Sequence, residues 1–586
     1  MANGMTGLYV GLSGLNAAQN ALNTTAHNLS NINTTGYTRQ QIGFEDSTYV
    51  KYGNSANGDM QYGLGVDVSA IRRIRDELID SAYRESNGRL GYYSSQYEAL
   101  EEVEDLFGEL QGVTYQSALD NFNKALQELA KNPGSTDTRA SVVQYATAFI
   151  DRSNSVYTGL QKYQSDLNTK VQTSVDKINT LASTIADLNT KISQVEGLGQ
   201  HANDLRDQRD NALDTLSGLI KINYKEDSTG KVNVTAEGMP LVTGGTTTTM
   251  GTKQAGDTTL LTPTWPEYDD RQVFQDYEVI NNIDNNDIGE LKGLILARGS
   301  VSVDYTTVPV EPVKTDYDLT TTEGTAKYEQ AMKDYEEKCD YYDKYVEPSV
   351  ILSTMASVDK LVNGIVTAIN DVLCPETTTS FTAADGTVYN NVTVLDMSKT
   401  SYGSDDDKTV GTELFSRTGT DRYKQVTGND GTVYYVRNNT NANGNDSDYT
   451  LGNIEVNSIV SHDKSKFPLT TAQGGENFEQ AQKLVDVWSE KFAALNPKKY
   501  AKEDFNTFYN SLVNSYSNVG NVLKTLTSAQ QTMTDGYDNQ RKATESVSSD
   551  EELSNMIKFQ QAYNASSRYI NAVNEMLEHL VTRLGS

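Results

Sequence analysis

Near the start of this 586-residue chain, Leu8, Leu15, Leu22 and Leu29 recur every seven residues, with Leu12 and Ala26 four residues after a leucine. That spacing lays them along one narrow stripe of a helix, the width of a coiled-coil seam rather than of a globular core helix. No Asp, Glu, Lys or Arg precedes Arg39, and the remaining positions are mostly Asn, Ser, Thr, Gln and Ala. A solvated helix ordinarily carries charge on its outer face, so this helix is predicted to make contact there as well. At the other end, Leu553, Met556, Tyr563, Ile570, Leu577 and Val581 keep a 3,4 spacing, and Ser549 with Glu552 reads as a capping box. Neither helix has enough apolar face to stand alone in water. The pattern predicts that the two pair, so that the chain leaves and returns at one point.

The stretch between them changes period several times. Residues 40–75 are short and strand-like, and residues 76–222 are helical with a break at Asn132-Pro133-Gly134. Between Gly159 and Gly197, apolar residues from Leu160 to Val195 hold helical spacing, which predicts a helix roughly 50 Å long. Its expected partner is Phe505 to Tyr537, in one bundle with the helices around Leu119 to Leu129. Residues 223–285 read as strands, Thr325 to Tyr345 as a charged helix, and Ile351 to Val372 as an apolar helix. Residues 375–466 are polar and strand-like, with an internal echo: Asp385-Gly386-Thr387-Val388-Tyr389 and Asp430-Gly431-Thr432-Val433-Tyr434. The expected fold class is multidomain. A mainly α inner part (terminal coiled coil plus long helical bundle) carries outer β-rich domains in nested, discontinuous layers. The expected divisions are 1–75 with 538–586, 76–222 with 468–537, 223–299 with 349–374, and an outer insertion of 300–348 with 375–467.

Composition and motif content exclude several classes. A net charge of −30 disfavours nucleic acid and anionic membrane as partners. No run reads as a membrane span or a cleaved signal peptide. Cys339 and Cys374 are read as unpaired, with a disulfide as the alternative. The four histidines form no H-E-x-x-H helix, and no C-x-x-C, G-x-S-x-G, Walker A or dinucleotide fingerprint occurs. Asp405-Asp406-Asp407 and Asn443 to Asp448 lack EF-hand spacing and read as solvated turns. No catalytic, cofactor or metal residue is assigned.

Other motifs are more specific. Asn28-Leu29-Ser30-Asn31 followed by Thr34-Thr35-Gly36-Tyr37-Thr38-Arg39 resembles the N-terminal motif of bacterial flagellar axial proteins, and Glu552 to Ile557 with Gln560 to Tyr563 resembles their closing motif. The block Asn203-Asp204-Leu205-Arg206-Asp207-Gln208-Arg209-Asp210 resembles that of the hook-associated protein 1 family, and so does Gly289 to Leu294. Alternating Asp and Arg admits a metal or phosphate site, or a surface helix laced with i,i+3 and i,i+4 ion pairs; the second is the expectation. The resemblance implies a secreted, extracellular structural subunit of the flagellum, exported without a cleaved signal, with no catalysis. Implied partners are copies of itself in a ring or helical layer, the hook protein, hook-associated protein 3, and an export chaperone at the C-terminal helix. The alternatives are another axial protein, hook or distal rod, or an axial scaffold carrying an adhesive or enzymatic outer domain.

Overall fold

The computed structural model describes residues 2–55, 58–108, 114–275, 279–281, 283–438, 449–497 and 501–584; the 443–448 turn lies outside them. The uncharged, proline-free opening forms α1 (Ala2–Ser30). Gly36, at φ +77, turns the chain into β1 (Gln40–Asp46). A hairpin of β2 (Tyr49–Ser55) and β3 (Gly58–Gly63) intervenes before β4 (Val66–Arg73), which pairs antiparallel with β1 from Gln40↔Arg73 to Asp46↔Val66. Asp76 caps α2 (Glu77–Phe107) by accepting the Leu78 and Ile79 N–H groups. Next come α3 (Tyr115–Lys131), α4 (Thr136–Glu196) and α5 (Asn203–Leu219). At 61 residues α4 is about 90 Å long, because Gly159 does not interrupt it. A side chain there would strike Leu106, so the glycine marks close packing rather than a helix end.

Two small sheets follow: a meander of β5 (Ile222–Glu226), β6 (Val232–Ala236), β7 (Met239–Thr243) and β8 (Thr246–Thr247), then β9 (Gly251–Gln254), β10 (Leu261–Trp265) and β11 (Arg271–Gln272). Helices α6 (Glu290–Arg298), α7 (Thr322–Tyr345) and α8 (Val350–Leu373) come next. By length and composition alone α8 would pass for a membrane span, which the sequence reading did not find. It is instead a core helix, packed against α2, α4 and α6. The polar region holds β12 (Glu376–Thr382), β13 (Val388–Leu395), β14 (Phe415–Arg417), β15 (Tyr423–Thr427), β16 (Val433–Arg437) and β17 (Ile454–Val456). Its main sheet runs β12-β13-β16-β15. The sequence echo is thereby two hairpins side by side, tied reciprocally by Ala384 N–H to Thr427 O and Asn429 N–H to Thr382 O. The chain closes with α9 (Ser458–His462), α10 (Phe478–Asp486), α11 (Phe505–Glu545) and α12 (Ser549–Leu584).

The protein is thus largely helical with several small separate sheets. One continuous apolar core runs from Ala99 to Tyr516, with Phe107, Tyr115, Phe122, Phe149 and Tyr509 interlocked between α2, α3, α4 and α11. The first turns of α11 enter this bundle as expected, but the rest lies along α2 and not α4. Val519, Leu526 and Met533, expected against α4, are exposed. The physical reason is that α4 is already covered by α3, α5, α6 and the sheets. Helical spacing marks an apolar face without saying which helix covers it.

Candidate functional site

Helices α1 and α12 pair antiparallel: Gly7 lies against Val573, Gly11 against Ile570, Gly14 against Ser566, and Asn28 against Glu552. The pairing is as the sequence predicts, but the α1 seam is not leucine. It is Gly7, Gly11, Gly14, Ala18, Ala21, Thr25 and Asn28, also at 4,3 spacing and one residue out of step with the leucines. A Cβ on Gly11 would sit 2.6 Å from Ile570 Cγ1, so the small residues let the helices approach closely. Leu8, Leu15, Leu22 and Leu29 are half-buried on the flank, and Leu12 is exposed. On α12, Met556, Tyr563, Ile570 and Leu577 share the register of Glu552 and Val573 and are half-buried, while Leu553 and Val581 are exposed. Met5, Tyr9 and Leu12 on α1, with Leu553, Ile557, Tyr569, Met576, Leu580 and Val581 on α12, are 46–66% exposed. The pair therefore closes on a small-residue seam and leaves its large apolar side chains outward.

Its fastening to the body uses the motif residues. Buried Asn28 donates through Nδ2 to Gln40 O (2.9 Å) and to Glu552 Oε2 (3.2 Å). Its Oδ1 accepts the Gln40 N–H (3.0 Å) and the Tyr37 hydroxyl (2.8 Å). Burial, with Asp204, Asp207 and Glu552 nearby, raises the Tyr37 phenol and keeps it a donor. Glu552 is bound by Arg39 Nε at 2.9 Å, so its carboxylate does not close a capping box with Ser549. The Glu551 N–H points instead to Ser548. Asn31 donates back to the His27 carbonyl, and Gly36 supplies the left-handed turn beside Asn211.

The other half of the fastening is α5. Thr38 N–H donates to Asp207, Gln40 Nε2 to Asp204, and Asn203 Nδ2 to Gln40 Oε1 and Ile71 O. Below them, Arg73 of β4 bridges Asp207 and Asp210 at 2.8 and 2.7 Å. Arg75 joins Asp80 and Asp210, Arg84 binds Asp214, and Arg541 of α11 reaches Asp214 at 2.7 Å. Burial works to raise Asp210, but Arg75, Arg73 and Arg84 outweigh it and hold it at about 2. Asp207, with Arg73 as its one arginine and the Thr38 amide, is raised on balance by burial. This corrects the expected surface helix with i,i+3 and i,i+4 pairs: Asp207 and Arg209 are buried, and the α5 charges find partners on other elements. Arg209 donates to Asn189, Gly230 O and Glu226, anchoring the β5–β6 turn, while Gln208 faces solvent. Arg73, Arg75, Arg84 and Arg541 are paired with Asp80, Asp207, Asp210 and Asp214, and Arg541 also reaches Asp538, so the carboxylates of the hub at least balance its arginines. Among the described residues no group of three or more His, Cys, Asp or Glu is placed to hold a metal. Sequence reasoning missed Arg73, Arg75, Arg84 and Arg541 as the partners; the run Ile71-Arg72-Arg73-Ile74-Arg75 was the available signal. Cys339 and Cys374 are both buried, and no disulfide joins them.

Three families match separate parts of the chain. Residues 100–323 match the flagellar hook-associated protein FlgK helical domain, 8–38 the flagella basal body rod protein, and 544–583 the flagellar basal body rod FlgEFG protein C-terminal region. The chain is 28% identical over 590 residues to flagellar hook-associated protein 1 of Bacillus subtilis (strain 168), covering 99% of each. It is 25% identical to the protein of that name from Salmonella typhimurium, covering 97% of this chain and 98% of that one. A solved flagellar hook junction protein FlgK from Burkholderia pseudomallei aligns at 13% identity and a TM-score of 0.48, over 80% of this chain and 100% of that one. With the helical domain matched in its middle, rod-type motifs at both ends and relatives of one name matched over nearly their full length, the chain is similar throughout to flagellar hook-associated protein 1.

Proposed function

We propose that the protein is a structural subunit of the bacterial flagellum that assembles at the hook–filament junction and acts by packing rather than catalysis. The observation that carries this is the outward row of large apolar side chains on α1 and α12, on a helix pair already closed by its own small-residue seam. Contiguous exposed apolar surface of this kind marks an interaction site. The assembly interface is assigned to the exposed Leu12, Leu553 and Val581, flanked by the half-buried Leu8, Leu15, Leu22 and Leu29 on α1 and Met556, Tyr563 and Leu577 on α12, whereas Ile570 packs against Gly11 inside the pair. The layers nest as the chain order suggests: 1–75 with 538–586 innermost, 76–222 with 468–537 next, then 223–299 with 349–374, and 300–348 with 375–467 outermost. Partners are neighbouring copies, the hook protein, hook-associated protein 3 and an export chaperone holding α12. The protein acts outside the cell, as part of the flagellum.

Leu12→Lys tests the reading. Leu12 is 49% exposed in the chain, so melting of the monomer should not change. In an assembly that buries this side chain, the loss is roughly 1.5–3 kcal/mol per subunit plus the desolvation of a lysine. Cells that secrete the variant should bear hooks without filaments in electron micrographs. Normal filaments on such cells would refute the assignment.

A further inference from the structure

We propose that the elbow between α11 and α12 is a proton-responsive latch: Glu545 as a carboxylic acid holds the terminal helix pair against the body, and loss of its proton loosens that hold. Glu545 is the last residue of α11 and is 8% exposed. Its backbone carbonyl accepts the Arg39 N–H at 2.8 Å, and the Arg39 carbonyl accepts the Ile74 N–H, so three segments meet at this residue. Yet Oε1 of its buried carboxyl has no hydrogen-bond partner among the described residues. The groups facing it are Arg75 from the β4–α2 connection, Asp80 from α2 with the Asp76 amide at its cap, and Arg541 one turn back on α11. Both arginines are committed elsewhere, Arg75 to Asp80 and Asp210, and Arg541 to Asp214 and Asp80. Glu545 is thus a further carboxylate beside arginines that aspartates, Asp538 among them, already engage. Beside the elbow lies an open cleft of about 910 Å³, bordered by Glu545, Ser546, Val547 and the 31–37 loop, into which the elbow has room to move.

The direction follows from burial, which pushes the Glu545 carboxyl up to about 7 against Arg75 and Arg541, with Asp80 adding to the rise. The latched form therefore holds a proton that an opened, solvated elbow releases near the ordinary glutamate value. Latching is strongest below that value and weakens as pH rises through 7.

The test is hydrogen–deuterium exchange on the full chain at pH 6 and pH 8, corrected for intrinsic exchange. Peptides covering 536–552 and 31–45 are compared with α4 peptides as a folding control. Opening of the elbow should rise roughly tenfold between the two pH values, with the α4 peptides unchanged. Glu545→Gln, permanently neutral, should stay closed at both. Equal wild-type opening at both pH values, or a pH response kept by Glu545→Gln, overturns the proposal. If Glu545→Gln loses the α4 protection, the wild-type comparison alone decides. The experiment reads the isolated chain, so its failure and failure of the assembly reading are separate results.

Discussion

Replacing Asn28 with alanine should unfasten the terminal helix pair from the body while leaving the body folded. The side chain makes four hydrogen bonds: two to the Gln40 backbone, one from Tyr37 and one to Glu552. A neutral bond contributes about 0.5–1.5 kcal/mol and a bond to a charged group about 1.5–3 kcal/mol. Alanine also strands partners in a buried place, so the loss is about 3–5 kcal/mol, enough to exceed the stability of a two-helix appendage. None of these bonds touches the core between Ala99 and Tyr516. The assay is exchange protection of peptides spanning 38–46 and 549–575, alongside calorimetric melting of the body. Protection at both ends should collapse together, with the main transition within a few degrees of wild type. Asn28→Asp keeps the two acceptors but sets a carboxylate against Glu552, and should fare no better at neutral pH. Wild-type protection of 38–46 in Asn28→Ala would show that this residue does not hold the pair, and the reasoning would fail.

Three further outcomes are expected. Gly11→Leu should separate α1 from α12, because its Cβ alone meets Ile570 at 2.6 Å; Gly7→Ala, whose nearest contact is 3.3 Å, should keep exchange protection of both helices. Asp210 is depressed relative to its unfolded value, so it stabilises above about pH 4, and that contribution fades as pH falls toward 2. Urea melts across this window should therefore be flatter for Asp210→Asn than for wild type. A thiol reagent should label neither Cys339 nor Cys374 in the native chain and both after denaturation, since both are buried and burial pushes the Cys374 thiol up to about 12. Labelling of the native protein would refute the packing around them.

Much of the local structure is readable from the residues. Helical spacing finds α1, α8 and α12, and the repeated Asp-Gly-Thr-Val-Tyr finds the paired hairpins. What escapes is partnership. Leucines at seven-residue spacing announce a seam on α1, yet Gly7, Gly11 and Gly14 form it, because close approach favours residues that hydrophobicity does not score. The α5 block shows the same limit: its spacing permits intrahelical ion pairs, but Arg73, Arg75, Arg84 and Arg541 arrive from elsewhere in the chain. Only the fold makes them neighbours. Motif resemblance located the fastening residues Asn28, Tyr37 and Arg39 without saying that Asn28 and Arg39 bond to Glu552, more than 500 positions away, or that Tyr37 donates to Asn28.

That separation gives the molecule a built-in order of events in time. Asn28 and Glu552 are 524 positions apart, so a chain made from its first residue waits through almost the whole of its synthesis before α1 meets α12. Once the body holds Arg75 and Asp80 beside Arg541 and Glu545, closing so long a loop reduces to docking two short tethered arms. A chain lacking its final stretch keeps a body able to fold but leaves α1 alone with a glycine-lined face. Pairing of α1 with α12 thus depends on segments from opposite ends of this long loop being present together.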